Sequence, residues 1–315
     1  MSGKTIRLYL AEGEPGGIMT AEIINWTGKA VVVPRSKLAG LAKREEAKRA
    51  GIYLLVGDDP ENLSKKRVYV GESDNVFDRL KNHQTDVSKD FWTQTVFVTS
   101  KDENLTKSHV RYLEGRLIGL IAIAKRAILA NGTGPAVRGL PEPDVADMEF
   151  FLDQIKMLLP VLGFFFAQPT PTPQSKPALK DEKDTTHKKE AEPKSQDASP
   201  LFYMSPVGTY AIAQEIDNEF VVSEGSTARK EGIRSWTSYR ALREQLLQDG
   251  KLAEGEQPDL LVFTESVSFQ SPSAAAAVVF GGNQNGRKVW KTEDGKTYAK
   301  WQEEKLEQAT STLPA

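Results

Sequence analysis

A chain of 315 residues is long enough for two cores, and 41 Lys and Arg against 43 Asp and Glu leave a formal net charge of −2, with no global basic field for nucleic acid. The absence of Cys excludes disulfides and thiolate metal sites, so a metal must take oxygen ligands or one of His83, His109 and His187. No stretch approaches the ~20 apolar residues of a bilayer span, and Met1-Ser2-Gly3-Lys4-Thr5 does not open like a secretory signal, so a soluble, cytoplasmic protein with no membrane partner is expected.

Residues 1–49 read as an N-terminal β/α extension. Thr5 to Leu10 and Ala30 to Val33 are strand-like, and Ser36 is placed to cap a helix from Lys37 to Arg49. Lys43, Arg44, Lys48 and Arg49 are mixed there with Glu45 and Glu46, the pattern of a solvated face.

Residues 50–167 read as a compact α+β unit. From Gly51 to Val56 the chain alternates so that Ile52, Leu54 and Val56 share one face and Tyr53 and Leu55 the other. Gly57-Asp58-Asp59-Pro60 opens a loop, and Arg67 to Val70 returns as a strand with Tyr69 opposite Val68 and Val70. Antiparallel pairing brings both phenols together. Ser73, Asp74 or Asn75 can cap a following helix on which Arg79 and His83 lie one turn apart. Phe91 to Ser100 is a third strand, and Thr106 to Ala130 a long helix with the apolar stripe Val110, Leu113, Leu117, Ile118 and Ile121. Glu114 lies inside that stripe, where a carboxylate is costly unless a cation pairs with it. The apolar run Leu158 to Ala167, broken by Pro160 and Gly163, reads as helix end and core.

Gly51-Ile52-Tyr53, Tyr69-Val70-Gly71, Arg79, His83 and Glu114 occur in the order found in the GIY-YIG nuclease family, which residues 50–131 closely resemble. The resemblance implies a three-stranded antiparallel sheet flanked by helices and a phosphodiesterase using one divalent cation. Glu114 would bind Mg²⁺ or Mn²⁺, Arg79 would hold the phosphate, and Tyr53 or His83 would be the general base with Tyr69 positioning the nucleophile. Asn131 matches a late asparagine of the family, although Asn131-Gly132 is also a helix-stop signal. Two departures are a loop from Gly57 to Arg67 longer than the family's usual turn, and Val70 in place of the commoner isoleucine.

Residues 168–200 read as a disordered linker, in which Pro169, Pro171, Pro173, Pro177 and Pro193 alternate with charged and small polar residues. Residues 201–315 read as a separate α+β module. Tyr210 to Glu215 and Glu219 to Val222 flank the turn Asp217-Asn218, Ser235 is placed to cap a helix ending at Gly250, and Ser271-Pro272 starts the alanine helix Ala274 to Phe280. Strands containing Trp290 and Trp301 are expected around Asp294-Gly295. The run Ser271-Pro272-Ser273-Ala274, with Asn285-Gly286-Arg287 and Trp290-Lys291, resembles an uncharacterised module that recurs behind such nucleases and in restriction-associated proteins. Arg287, Lys288, Lys291, Lys296 and Lys300 interleave with Trp290, Tyr298 and Trp301. That mix suits phosphate contact with base stacking, or else it is a core with solvated lysines.

The expectation is a metal-dependent DNA endonuclease whose C-terminal module aids targeting, acting on duplex or branched DNA, with RNA open as a substrate. The alternative is a non-catalytic nucleic-acid-binding or assembly protein that uses the nuclease fold as a scaffold.

Overall fold

A computed structural model describes residues 3–62, 65–102, 104–132, 139–171, 173, 199–206 and 208–311. Most of the expected linker, including His187, lies outside the described residues. The chain divides into two compact units, Met1–Pro169 and Thr170–Ala315. Among the described residues no helix is long and apolar enough to cross a membrane.

The first unit comprises β1 (Ile6–Leu10), β2 (Met19–Ile23), β3 (Gly28–Pro34), β4 (Gly51–Asp58), β5 (Lys66–Ser73), α1 (Val76–Gln84), β6 (Gln94–Ser100), α2 (Lys107–Ala124), β7 (Ala127–Leu129) and α3 (Glu142–Val161). Its sheet runs β1-β2-β3-β6-β4-β5-β7. The antiparallel trio β6-β4-β5 is its centre, and the N-terminal extension adds three strands to it through the seven-residue β3–β6 ladder. Only β7 runs parallel to its neighbour β5.

Alternation along β4 divides the interior as its side-chain periodicity demands. Ile52, Leu54 and Val56 join Val68 and Val70 beneath Leu113 and Leu117 of α2 and Phe151 and Ile155 of α3. Tyr53 and Leu55 face the other way, against Leu80 of α1, Leu41, Trp92 and Phe97. Each fully buried side chain of this size contributes on the order of 1.5–3 kcal/mol. The two layers therefore clamp β4, whose residues 51–57 are all buried.

Local signals account for several element ends. Asn75 caps α1 by accepting the Asp78 N–H, and Thr106 caps α2 in a reciprocal box with His109. Two expectations fail in this unit. The helix expected from Lys37 to Arg49 is instead two 3₁₀ segments, Arg35–Lys43 and Glu45–Lys48, separated by Arg44 in extended conformation, with no cap from Ser36. Leu38, Leu41 and Ala47 plug the second core from these tight turns, and packing outweighs the residues' helical propensity. The long helix stops at Ala124 rather than Ala130, because Lys125 turns left-handed (φ 52°) and residues 127–129 become the edge strand on β5.

The second unit contains β8 (Leu201–Met204), β9 (Ala211–Ile216), β10 (Glu219–Val222), β11 (Thr227–Arg229), α4 (Arg240–Gln248), β12 (Leu252–Glu254), β13 (Leu260–Phe263), β14 (Val267–Phe269), α5 (Pro272–Phe280), α6 (Gly286–Val289) and α7 (Tyr298–Ser311). A four-stranded sheet, β14-β10-β9-β8, and a three-stranded one, β11-β13-β12, share a core with α5. Ser271 caps α5 by accepting the Ala274 N–H, and Gly281 ends it at φ 70°. Ala274 to Val279 are all buried, which explains a helix without a polar face.

Ser235 caps nothing; α4 begins after Tyr239 in left-handed conformation. The strands expected around Asp294-Gly295 are reduced to isolated bridges of Lys291 with Tyr203 and Thr297, and Trp301 lies on α7. Trp290 is fully buried, its indole N–H donating to the Pro272 carbonyl at 2.9 Å, so this segment is anchored to α5 rather than extended into a sheet.

Candidate functional site

Register places Tyr53 opposite Gly71 and Leu55 opposite Tyr69, so the phenols lie diagonally on one face with ring centroids 6.2 Å apart. The glycines of the two motifs have steric reasons. A Cβ on Gly71 would overlap the Tyr53 hydroxyl, and one on Gly51 would stand 2.6 Å from the Val98 carbonyl oxygen. Gly71 is thus the gap through which the Tyr53 ring reaches across β5.

The Tyr53 hydroxyl lies 2.7 Å from Nε2 of His83 and accepts the Nε–H of Arg79 at 3.2 Å. Burial holds the His83 imidazolium down to about 4, helped by the positive charges of Arg79 and Lys89 and opposed by Asp86, 3.8 Å from Nδ1. His83 is therefore neutral at pH 7, its tautomer setting the direction of the bond between Nε2 and the Tyr53 hydroxyl, while the phenolic oxygen accepts from Arg79. Burial, reinforced by Tyr69, raises Tyr53 well above the ordinary phenol range, and the nearby Arg79 only partly offsets this. The chain Arg79–Tyr53–His83 runs from an exposed guanidinium to a buried phenol and imidazole and fixes both ends. Tyr69 completes the cluster, its ring 5.5 Å from His83, with the Lys89 ammonium 4.8 Å from its centroid.

Asn131 performs a backbone's task. Since β7 covers only Lys66 to Val68, its side-chain amide takes over the ladder, accepting the Val70 N–H at 2.9 Å and donating to the Val70 carbonyl at 2.8 Å. That clamp steadies β5 between Tyr69 and Gly71.

Glu114 is half-buried on α2, and it makes no hydrogen bond or ion pair with any described residue. Burial and the neighbouring Glu72 raise its carboxyl to about 7, against the partial opposition of Arg111, Arg79 and Lys107. Glu72 itself is held by Lys107, whose Nζ is 2.9 Å from Oε2, and by Arg111 at 3.5 Å. Between the starts of α1 and α2 opens a cleft of about 470 Å³, lined by Glu72, Asp74, Arg79 and Lys107 among others.

Tyr53, Tyr69, Arg79 and His83 thus form one cluster, and Asn131 clamps β5 beside it. Arg79 lines the cleft, while Tyr53 lies wholly beneath the surface and His83 is buried with it. The charge of Arg79 is felt at Glu114 although α1 and α2 pack on opposite faces of the sheet. Sequence reasoning missed Glu72, for which the signal was a charged residue directly after Gly71, where the strand leaves the core; Arg111 and Lys107, on the helix of Glu114, were readable as cations able to offset its charge, and both act on it.

Among the described residues no group of three acidic or imidazole side chains is placed to hold a metal ion, and Glu114 is a single half-buried carboxylate.

No curated protein and no solved structure matches the chain. Within the second unit, residues 202–302 match the family model of DUF4357, a domain of unknown function, in keeping with an uncharacterised C-terminal module.

Proposed function

We propose that residues 50–131 form a GIY-YIG-type, metal-dependent DNA endonuclease that hydrolyses phosphodiester bonds. The observation that carries this reading is Glu114, a half-buried carboxylate with no hydrogen bond or ion pair among the described residues, which feels the charge of Arg79, a residue lining the cleft. A structural carboxylate in that position would be paired, because leaving it unpaired costs stability. The motif residues Gly51-Ile52-Tyr53 and Tyr69-Val70-Gly71 support the same reading.

Glu114 would hold Mg²⁺ or Mn²⁺, which supplies Lewis-acid stabilisation of charge on the phosphate and leaving oxygen when bound. Arg79, its Nε–H engaged by Tyr53, presents its planar fork to a phosphate entering the cleft. Tyr53 stays protonated and acts by orienting Arg79 and His83, so it is a positioning residue and not the base. Tyr69, half-buried and beside Lys89, is the phenol placed to orient water or phosphate.

The test is cleavage of plasmid, linear and branched DNA by the full chain with Mg²⁺ or Mn²⁺. Glu114→Gln and Arg79→Ala abolish cutting with the fold intact; a Glu114→Gln protein that cuts like the parent overturns the assignment. Complete burial of Tyr53 is the one feature that favours the scaffold reading. Salt-dependent DNA affinity that survives Glu114→Ala, with no cleavage under any divalent ion, would establish it instead.

A further inference from the structure

In the second unit, of the two readings open for the aromatic residues, base stacking or core, Trp290 and Tyr298 take the core. Trp290 is fully buried, Tyr298 is 5% exposed, and both pack on Phe220. Lys296 is spent on Glu304 at 2.6 Å, and the Lys305 ammonium covers the Trp301 ring.

Two exposed lysines and an exposed tyrosine lie elsewhere on this unit. A groove of about 510 Å³ is lined by Tyr203, Phe280, Lys288 and Lys291 among others, and no described carboxylate lines it. Its volume falls in the roughly 300–1,000 Å³ range of clefts that hold small organic groups. Lys288 and Lys291 are exposed and have no ion-pair partner among the described residues. Arg229, likewise without a carboxylate partner, lies 5.2 Å from the centroid of the Phe280 ring. Tyr210, 52% exposed, extends the aromatic surface, its ring 6.2 Å from that of Tyr203 at an interplanar angle of 33°. The backbone bonds between Tyr203 and Lys291 tie the aromatic and basic sides together.

We infer that this groove binds single-stranded nucleic acid, with Lys288 and Lys291 on phosphates and Tyr210 at its margin beneath an unstacked base. Cations without counter-ions release condensed ions on meeting a phosphate backbone, and an exposed phenol supplies the sequence-tolerant stacking face. A duplex, whose bases are already stacked, cannot use the tyrosine. Such binding goes beyond cleavage by the first unit and does not depend on it.

The experiment is fluorescence anisotropy of the full chain in EDTA, with a labelled strand of about 15 nucleotides as DNA, as RNA and as DNA duplex. Expected is single-strand binding, by DNA or RNA, that Lys288→Ala/Lys291→Ala weakens while lowering the salt slope by about 1.4, roughly 0.7 for each phosphate that is no longer neutralised. Tyr210→Ala weakens binding about tenfold with the salt slope unchanged. Glu114→Gln binds like the parent, which separates this outcome from any failure of the nuclease reading. These side chains are exposed, so their removal leaves the core untouched. Binding that is unchanged by the lysine substitutions overturns the inference. So does equal competition by inorganic polyphosphate together with no effect of Tyr210→Ala, which would reveal a plain anion patch.

Discussion

Glu114→Gln should make the metal-free protein more stable while removing its proposed activity. The folded protein raises this carboxyl from 4.5 to about 7, chiefly by burial and by Glu72. A carboxyl raised in this way favours folding fully below pH 4.5, and that contribution is lost as the pH climbs through 7. At about 1.4 kcal/mol per tenfold change in proton affinity the ceiling is ~3 kcal/mol, and because the side chain is only half-buried, solvent screening reduces it to on the order of 1 kcal/mol. Glutamine reproduces the protonated shape at every pH. In EDTA at pH 8 the variant should therefore unfold about 2–4 °C above the parent in the transition of the first unit, followed by calorimetry, and the two should coincide near pH 4.5. Mn²⁺ at a hundred times its dissociation constant should return about 2.7 kcal/mol to the parent and nothing to the variant. A variant less stable than the parent at pH 8, or a difference that is the same at both pH values, would show that Glu114 is satisfied in the fold and refute the argument.

Tyr53→Phe leaves both Nε2 of His83 and the Arg79 Nε–H without their partner, a loss of about 1–3 kcal/mol in denaturant titration. Cleavage should slow while its pH profile keeps its position, since the phenol stays protonated across the neutral range; a shifted alkaline limb would restore Tyr53 as the base. Asn131→Ala strips the Val70 N–H and carbonyl of their partners at the half-covered strand edge, costing about 1–2 kcal/mol. Amide exchange at Val70 should quicken, whereas the neighbouring Ala130 amide, bonded to the Val68 carbonyl, should change much less.

Residues whose role is set by near neighbours were legible. Alternation from Gly51 to Val56 announced a strand with Tyr53 on its own face, and both faces proved buried in different cores. Ser73, Asp74 or Asn75 and Ser271 announced helix starts because a cap is a contact across three residues, and of the first three Asn75 is the cap. The turn at Asp217-Asn218 was equally local, with both residues at positive φ. Failures came where distant packing overrode such signals. Residues 37–49 have the composition of a helix, yet Leu38, Leu41 and Ala47 are drawn into the core by 3₁₀ turns. Residues 127–129 continue a helical composition, yet an open strand edge on β5 captured them. Trp290 and Tyr298 read equally as stacking surface or core, and only their neighbours chose the core.

By itself the sequence determined two tyrosine-bearing strands, a helix start at Ser73 to Asn75 ahead of Arg79 and His83, and the misplacement of Glu114 in an apolar stripe. Periodicity and capping are properties of a few adjacent residues, and no tertiary context was needed to read them. The tertiary structure decided that Tyr53 is sealed under the surface between His83 and Arg79, that Gly71 is the gap its ring fills, and that Glu72 and Lys107 border the cleft. It also decided which aromatic residues of the second unit remain exposed. Burial and proton affinity depend on what distant strands and helices bring within a few ångströms, and a linear pattern does not specify that.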